Sequence, residues 1–119
     1  MKTVLVAEDN AVNRELVTEM LEMLGYGVLE ARDGQEALEQ LAAQLPDVVL
    51  LDLQMPRIDG RETIRRIRDN PALRHLPVIA CTAFAMQGDR EEILNLSFDG
   101  YISKPVSFAE LMAVLQRVI

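Results

Sequence analysis

The chain has 119 residues, half of them hydrophobic, and a net charge of -7 from 12 basic and 19 acidic residues. This length predicts one domain, over residues 1–119, with a single core. The acidic balance argues against direct binding to nucleic acid or to an anionic membrane surface, because both are themselves negative. No apolar run reaches the roughly 18 residues of a membrane span. The single cysteine, Cys81, excludes an internal disulfide and predicts a reducing, cytoplasmic environment.

Strands and helices are predicted to alternate along the sequence. Short runs of β-branched and aliphatic residues predict the strands, and amphipathic stretches between them predict the helices. The predicted strands are Thr3–Ala7, Gly27–Ala31, Asp47–Leu51, Pro77–Cys81 and Gly100–Ser103. The predicted helices are Val12–Leu24, Gln35–Ala43, Arg61–Arg68, Gly88–Leu94 and Phe108–Val118. Alternation of this kind with short connections predicts an α/β fold with a parallel sheet.

Three helix starts carry the capping-box pattern, in which a capping side chain precedes a glutamate by three residues. The pairs are Asp33–Glu36, Asp59–Glu62 and Ser107–Glu110. The last helix has an apolar stripe at helical spacing that is predicted to face the core. Its members are Phe108, Leu111, Met112, Leu115, Val118 and Ile119.

Three acidic side chains stand at predicted strand ends. Glu8 and Asp9 directly follow the first strand, and Asp52 follows the third. Because ligands of an open parallel sheet bind beyond the carboxyl ends of its strands, we expect these acids to converge there. Close carboxylates repel unless a cation joins them, and Mg²⁺, a hard ion that prefers oxygen ligands, is the simplest candidate. A carboxylate beside a metal can attack a phosphoryl group, which makes Asp52 the candidate nucleophile.

Two further strand ends supply groups that suit phosphoryl transfer. Thr82 follows the fourth strand and offers a hydroxyl, and Lys104 follows the fifth and offers a positive charge to phosphoryl oxygens. Each residue alone also has a structural explanation, as a loop or cap acid, a β-branched strand residue or a surface lysine. The combination is more specific than any one member. The Lys104–Pro105 bond is a candidate cis peptide.

The other titratable or nucleophilic residues fit structural roles. His75 precedes the fourth strand, at the end opposite the acids, and is predicted to be a surface loop residue. Cys81 lies within a buried strand and is predicted to be inert. Tyr101 is predicted to lie on the opposite face of the fifth strand from Lys104, either in or out of a groove or as an ordinary half-buried aromatic.

Four segments together resemble the receiver domain of bacterial two-component response regulators (CheY-like). They are VLVAEDN (Val4–Asn10), VVLLDLQMPRIDG (Val48–Gly60), PVIACTA (Pro77–Ala83) and YISKP (Tyr101–Pro105). Their order and spacing match the family over essentially the whole chain. The segments CTAFAMQGD and YISKPVS are similar to single-domain receivers of the cell-cycle type, whereas NAVNREL resembles receivers attached to hybrid histidine kinases.

The resemblance implies a flavodoxin-like fold, a doubly wound five-stranded parallel sheet in order 2-1-3-4-5 flanked by five helices. It implies that Asp52 accepts a phosphoryl group from a histidine kinase or a histidine phosphotransfer protein. It implies that Mg²⁺ is bound by Glu8, Asp9, Asp52 and the main-chain carbonyl of Gln54. Thr82 and Lys104 would contact the phosphoryl group.

The resemblance also implies a switch, in which Thr82 moves toward the phosphoryl group and Tyr101 turns inward. The surface formed by the predicted helix Gly88–Leu94, the fifth strand and the last helix would then bind a downstream protein. Such a domain catalyses only its own phosphorylation and dephosphorylation, and is expected to be a monomer or weak dimer. The chain departs from the family at Leu96–Phe98, where many receivers have a glycine near Ser97 and a smaller residue at Phe98.

Other functions fit parts of the sequence less well. A phosphohydrolase with an aspartyl-phosphate intermediate would need a second aspartate two residues after Asp52, where this chain has Gln54. A P-loop nucleotide binder would need a GxxxxGK loop, and a flavin binder would need phosphate-cradling residues where this chain has acids. A phosphorylation-independent pseudo-receiver, acting only as an interaction module, stays open because competence depends on geometry as well as residue identity.

Overall fold

The computed structural model describes residues 1–83, 95 and 97–119. The strands are β1 (Thr3–Ala7), β2 (Gly27–Ala31), β3 (Val48–Asp52), β4 (Val78–Thr82) and β5 (Gly100–Ser103). The helices are α1 (Ala11–Met23), α2 (Gly34–Ala43), α3 (Gly60–Asp69) and α4 (Phe108–Val118). The helix predicted over Gly88–Leu94 lies outside the described residues, so the last predicted helix is α4 here.

The five strands form one parallel sheet in the order β2-β1-β3-β4-β5, which confirms the predicted fold class. In the register of this sheet, Ala7 of β1 lies beside Leu51 of β3, and Asp52 of β3 lies beside Cys81 of β4. The carboxyl ends of all five strands therefore meet at one side of the sheet, called the carboxyl edge below. Within the described ranges, no helix is both long and apolar enough to span a bilayer.

Both faces of the sheet are covered by helices. One core cluster packs α2 and α3 against the sheet, and the other packs α1 and α4 against the opposite face. All five residues of β3 and of β4 are buried. Central strands of a parallel sheet are covered on both sides, which explains why their sequences are continuous apolar runs rather than alternating ones.

The predicted capping residues lie directly before the first residues of their helices. The side chains of Asp33, Asp59 and Ser107 each accept a hydrogen bond from the backbone N–H three residues later. Asn10 caps α1 in the same way, a start that the capping-box pattern does not mark. These caps satisfy backbone donors at the carboxyl edge, where the four helices within the described residues begin.

The buried face of α4 consists of Leu111, Val114 and Leu115. The prediction that Phe108 belongs to the core is wrong, because its side chain is 38% exposed. Phe108 is the first residue of α4 and directly follows the loop after β5. The first buried residue of the helix is Leu111, one turn later. Val114, which the predicted stripe omits, takes a core position.

Candidate functional site

The carboxyl edge brings the predicted site residues together. Glu8 and Asp9 directly follow β1, and Lys104 directly follows β5. β3 and β4 each begin and end one residue later than predicted, so Asp52 and Thr82 are the last residues of their strands. The Glu8, Asp52 and Thr82 residues are buried, at 4%, 4% and 2% exposure, whereas Asp9 is exposed.

Three acids form a compact cluster at this edge. One carboxylate oxygen from each of Glu8, Asp9 and Asp52 lies within 4.8 Å of the others. Oxygen donors at this spacing suit a hard divalent ion, and the exposure of Asp9 opens the cluster to solvent. The residues present therefore fit the magnesium site that the sequence predicts.

The ammonium group of Lys104 links two of these acids. Its Nζ atom donates to both carboxylate oxygens of Glu8, at 2.9 and 3.0 Å, and to Oδ2 of Asp52, at 2.9 Å. Burial lowers the pKa of Lys104, but the hydrogen bonds to Glu8 and Asp52 outweigh it and raise the pKa overall. Lys104 therefore stays protonated and offsets the repulsion between two buried carboxylates.

The Glu8 carboxyl is unusually basic. Burial first, and the neighbouring Asp52 second, raise its pKa to about 7 overall, although Lys104 acts in the opposite direction. Glu8 consequently changes its charge near neutral pH in the metal-free protein. A cation bound among the acids would favour its ionised form.

Hydrogen bonds to both carboxylate oxygens hold the Asp52 side chain. Oδ1 accepts the backbone N–H of Gln54 at 3.0 Å, while Oδ2 accepts Lys104. Gly60 packs directly against the strand end, where an added Cβ would lie 2.6 Å from the carbonyl oxygen of Asp52 and from the Cα of Leu53. This packing of the start of α3 against the end of β3 restrains the backbone that carries the candidate nucleophile.

Arg14 contributes to the site, although the sequence analysis did not single it out. Its Nη1 donates to the carbonyl oxygen of Glu8 at 2.9 Å, and its Nε donates to Glu30 at 3.3 Å. Arg14 thus restrains the main chain at the acid pair. No motif marks such a contact in advance, because it depends on how α1 lies across the end of β1.

Tyr101 lies on β5 and packs against the core cluster on the α2 and α3 side of the sheet. It is half-buried, and Phe98 of the same cluster is buried. Ser97 has a φ of 72°, in the left-handed region that favours glycine. The backbone at Ser97 therefore adopts a glycine-like conformation, in the segment where the sequence departs from the family pattern.

The remaining candidates lie where the sequence places them. His75 is exposed, in the connection that precedes β4. Burial raises the pKa of the Cys81 thiol to about 12, so the reactive thiolate is scarce at neutral pH. The Lys104–Pro105 peptide bond is cis.

The sequence matches the family model of the response regulator receiver domain over residues 4–116. The chain belongs to the response regulator receiver family. Among curated relatives of this receiver, the polar-differentiation response regulator DivK of Brucella anthropi is 40% identical over 118 residues. That alignment covers 99% of this chain and 96% of DivK.

Solved structures agree with this assignment. The receiver domain of the sensor histidine kinase PA1611 from Pseudomonas aeruginosa is 40% identical, with a TM-score of 0.91 over 98% of this chain and 96% of that one. The PA1611 structure has a magnesium ion coordinated in its active-site cleft. The chemotaxis response regulator CheY4 of Vibrio cholerae is 29% identical, with a TM-score of 0.93 over 100% of this receiver and 99% of CheY4.

Proposed function

We propose that this receiver takes a phosphoryl group onto Asp52 from a phosphohistidine of a histidine kinase or histidine phosphotransfer protein. Its phosphorylation then changes how it binds a downstream protein. The observation that carries this proposal is the Asp52 carboxylate itself, buried at a strand end between Lys104 and a cluster of two further acids. Buried charge is costly, and a buried group of this kind suits a reaction more than a structural role.

Glu8, Asp9 and Asp52 would hold Mg²⁺, together with the main-chain carbonyl of Gln54. A bound Mg²⁺ would neutralise charge on the phosphoryl oxygens and so assist attack by a negative carboxylate. The grouping of three carboxylate oxygens within 4.8 Å supports this ligand set. The magnesium ion in the cleft of PA1611, which is 40% identical, supports the choice of metal.

Transfer requires little covalent chemistry from the protein. A carboxylate oxygen of Asp52 attacks phosphorus, the new P–O bond forms, and the P–N bond to the donor histidine breaks with its electron pair returning to the imidazole. The Lys104 ammonium and the Thr82 hydroxyl then donate hydrogen bonds to phosphoryl oxygens. Water later hydrolyses the acyl phosphate, so the domain catalyses only its own phosphorylation and dephosphorylation.

The output of the domain is a change of surface. A phosphoryl group adds roughly 1.5 to 2 negative charges and new hydrogen-bond acceptors at Asp52. Thr82 moves toward it and Tyr101 turns inward, which biases a two-state element. The segment Gly88–Leu94 with β5 and α4 forms the proposed surface for the downstream protein. We propose that the receiver works in the cytoplasm as a monomer or weak dimer.

Intact mass after incubation with acetyl phosphate and Mg²⁺ tests the proposal. We expect one added phosphoryl group on the wild type and none on Asp52→Asn. Asp59→Asn is the matched control, because it also removes one carboxylate while asparagine still caps α3. Equal phosphorylation of wild type and Asp52→Asn would contradict the acceptor. No addition to any of the three proteins would favour the pseudo-receiver.

A further inference from the structure

We propose that Arg57 is a positioning residue for the metal site, acting through the loop that carries the Gln54 carbonyl. The loop comprises residues 53–59, between β3 and α3. Arg57 ties it to Asp33, the residue that caps α2. The inference rests on the proposed Mg²⁺ site, and neither Arg57 nor Asp33 belongs to the proposed ligand set.

The Arg57 guanidinium makes a two-pronged contact with the Asp33 carboxylate. Nε donates to Oδ2 at 3.0 Å, and Nη2 donates to Oδ1 and Oδ2 at 3.0 and 2.7 Å. Such a fork defines orientation as well as distance, because two planar groups must align. The contact therefore restrains the loop in more than one direction.

Asp33 is a rigid anchor for this contact. Its Oδ1 also accepts the backbone N–H of Glu36 at 2.8 Å, and Asp33 is only 8% exposed. Burial raises the pKa of Asp33, but the Glu36 hydrogen bond and the Arg57 guanidinium lower it overall. The next residue, Gly34, packs directly against the loop. An added Cβ at Gly34 would lie 2.2 Å from the carbonyl oxygen of Ile58.

The ends of the loop are held by the backbone. Leu53 donates to the carbonyl of Cys81 at 3.1 Å, and Gly60 donates to the carbonyl of Leu53 at 3.1 Å. Between these bonds, Gln54 and Arg57 are exposed, and Arg57 has a φ of 65°. A side chain other than glycine is strained at this φ, so the surroundings of Arg57 must favour it.

A main-chain ligand depends on its loop more than a side-chain ligand does. A carboxylate can rotate to meet an ion, whereas the Gln54 carbonyl moves only with the backbone. Mg²⁺ demands near-ideal octahedral geometry, so a loosely held carbonyl costs affinity. The Arg57–Asp33 contact lies three residues from Gln54 and acts on the same short segment.

Charge and positioning predict opposite effects for the loss of Arg57. Arg57 lies at the same edge as the acid cluster, and its positive charge repels a cation. If charge were its only influence, removing it would strengthen Mg²⁺ binding. If positioning dominates, removing it weakens binding. The sign of the change therefore separates the two.

The experiment is a calorimetric Mg²⁺ titration of wild type and Arg57→Ala. We expect Arg57→Ala to raise the dissociation constant about tenfold, the scale seen when a group that orients a metal ligand is lost. Alanine tolerates the local φ no better than arginine, so backbone strain is matched. Arg66→Ala is the control, because it removes the same charge from α3, where Arg66 pairs with Glu62. It should leave the dissociation constant unchanged or slightly lower.

Two further variants test whether Arg57 acts through its contact with Asp33. Arg57→Lys keeps the charge without the fork and should rescue only part of the affinity. In Asp33→Asn the asparagine still caps α2 but lacks the charge that pairs with Arg57. Adding Arg57→Ala to this variant should cause no further loss of Mg²⁺ affinity. The urea midpoint of metal-free Arg57→Ala should stay near that of the wild type.

Unchanged or tighter Mg²⁺ binding by Arg57→Ala would overturn the inference. So would a loss of affinity that merely follows a lowered urea midpoint, since that is a general loss of structure. Absence of Mg²⁺ binding by the wild type would instead contradict the proposed metal site itself, and with it the role of Arg57.

Discussion

The Nζ atom of Lys104 lies 2.9 Å from Oδ2 of Asp52, although the two residues are 52 positions apart in the sequence. The contact exists because β3 and β5 both end at the carboxyl edge with only β4 between them. The same ammonium also contacts both carboxylate oxygens of Glu8. In the metal-free protein, Lys104 therefore supplies the positive charge that the acid cluster requires.

Lys104→Met should destabilise the metal-free protein by about 1–3 kcal/mol, because it leaves two buried carboxylates without their cation. The variant should also bind Mg²⁺ more tightly, since the ion no longer competes with an ammonium for Glu8 and Asp52. Urea unfolding at several Mg²⁺ concentrations measures both effects. Lys2→Met, which loses an exposed contact to the Ile119 carbonyl, is the control. An equal response of both variants to Mg²⁺ would refute this account.

Asp9→Asn should raise the stability of the metal-free protein and weaken Mg²⁺ binding, because it removes one of three neighbouring negative charges and one oxygen ligand. Chemical unfolding without metal and a Mg²⁺ titration measure these opposite changes. Glu19→Gln removes a negative charge from the exposed side of α1 and controls for net charge. The metal assignment fails if Asp9→Asn and the wild type bind Mg²⁺ equally well.

Glu8 should make stability depend on pH when no divalent metal is present. Its pKa rises from 4.5 to about 7 on folding, chiefly through burial, so the folded state holds more protons than the unfolded state between these values. The contribution of Glu8 to stability is therefore fully present below about pH 4.5 and falls as the pH rises toward 7. Glu8→Gln should remove this part of the slope in urea unfolding measured across pH 5–8. An unchanged slope would contradict the raised pKa.

Gly60→Ala should destabilise the fold by about 1–3 kcal/mol, because its Cβ would overlap the backbone of β3 beside the candidate nucleophile. The same change should slow phosphorylation by acetyl phosphate, since relief of the overlap moves Asp52. Gly27→Ala is the matched control, as its Cβ meets chiefly the flexible side chain of Met1, with Sδ at 3.1 Å. Thermal unfolding and the rate of mass increase measure the two effects. Equal stability and equal phosphorylation rates of the two variants would show that the close contact of Gly60 with β3 is unimportant.

The local pattern predicted most of the fold. The run Val48–Asp52 is apolar until its last residue, and this alone indicates a strand buried on both faces with an acid at its end. Capping residues such as Asp33 and Asp59 marked helix starts to within one residue. The prediction failed at Phe108, because helical spacing shows which residues share a face but not where that face meets the sheet.

Contacts between distant side chains could not be predicted in the same way. The bond from Arg14 to the Glu8 carbonyl depends on the placement of α1, and the fork from Arg57 to Asp33 joins two separate βα connections. Neither pair has a characteristic spacing. The raised pKa of Glu8 likewise depends mainly on burial, which only the packed molecule defines.

The sequence by itself determined the order of strands and helices, the position of each candidate residue at a strand end, and the family. The elements and the strand-end positions follow from local periodicity and from residue types, which act within a few positions of the chain, whereas the family follows from the resemblance of four segments to known receivers. Only the tertiary structure decided that Lys104 lies between Glu8 and Asp52, and that Arg57 pairs with Asp33. Distances between remote side chains depend on strand register and helix packing, which are cooperative properties of the whole core.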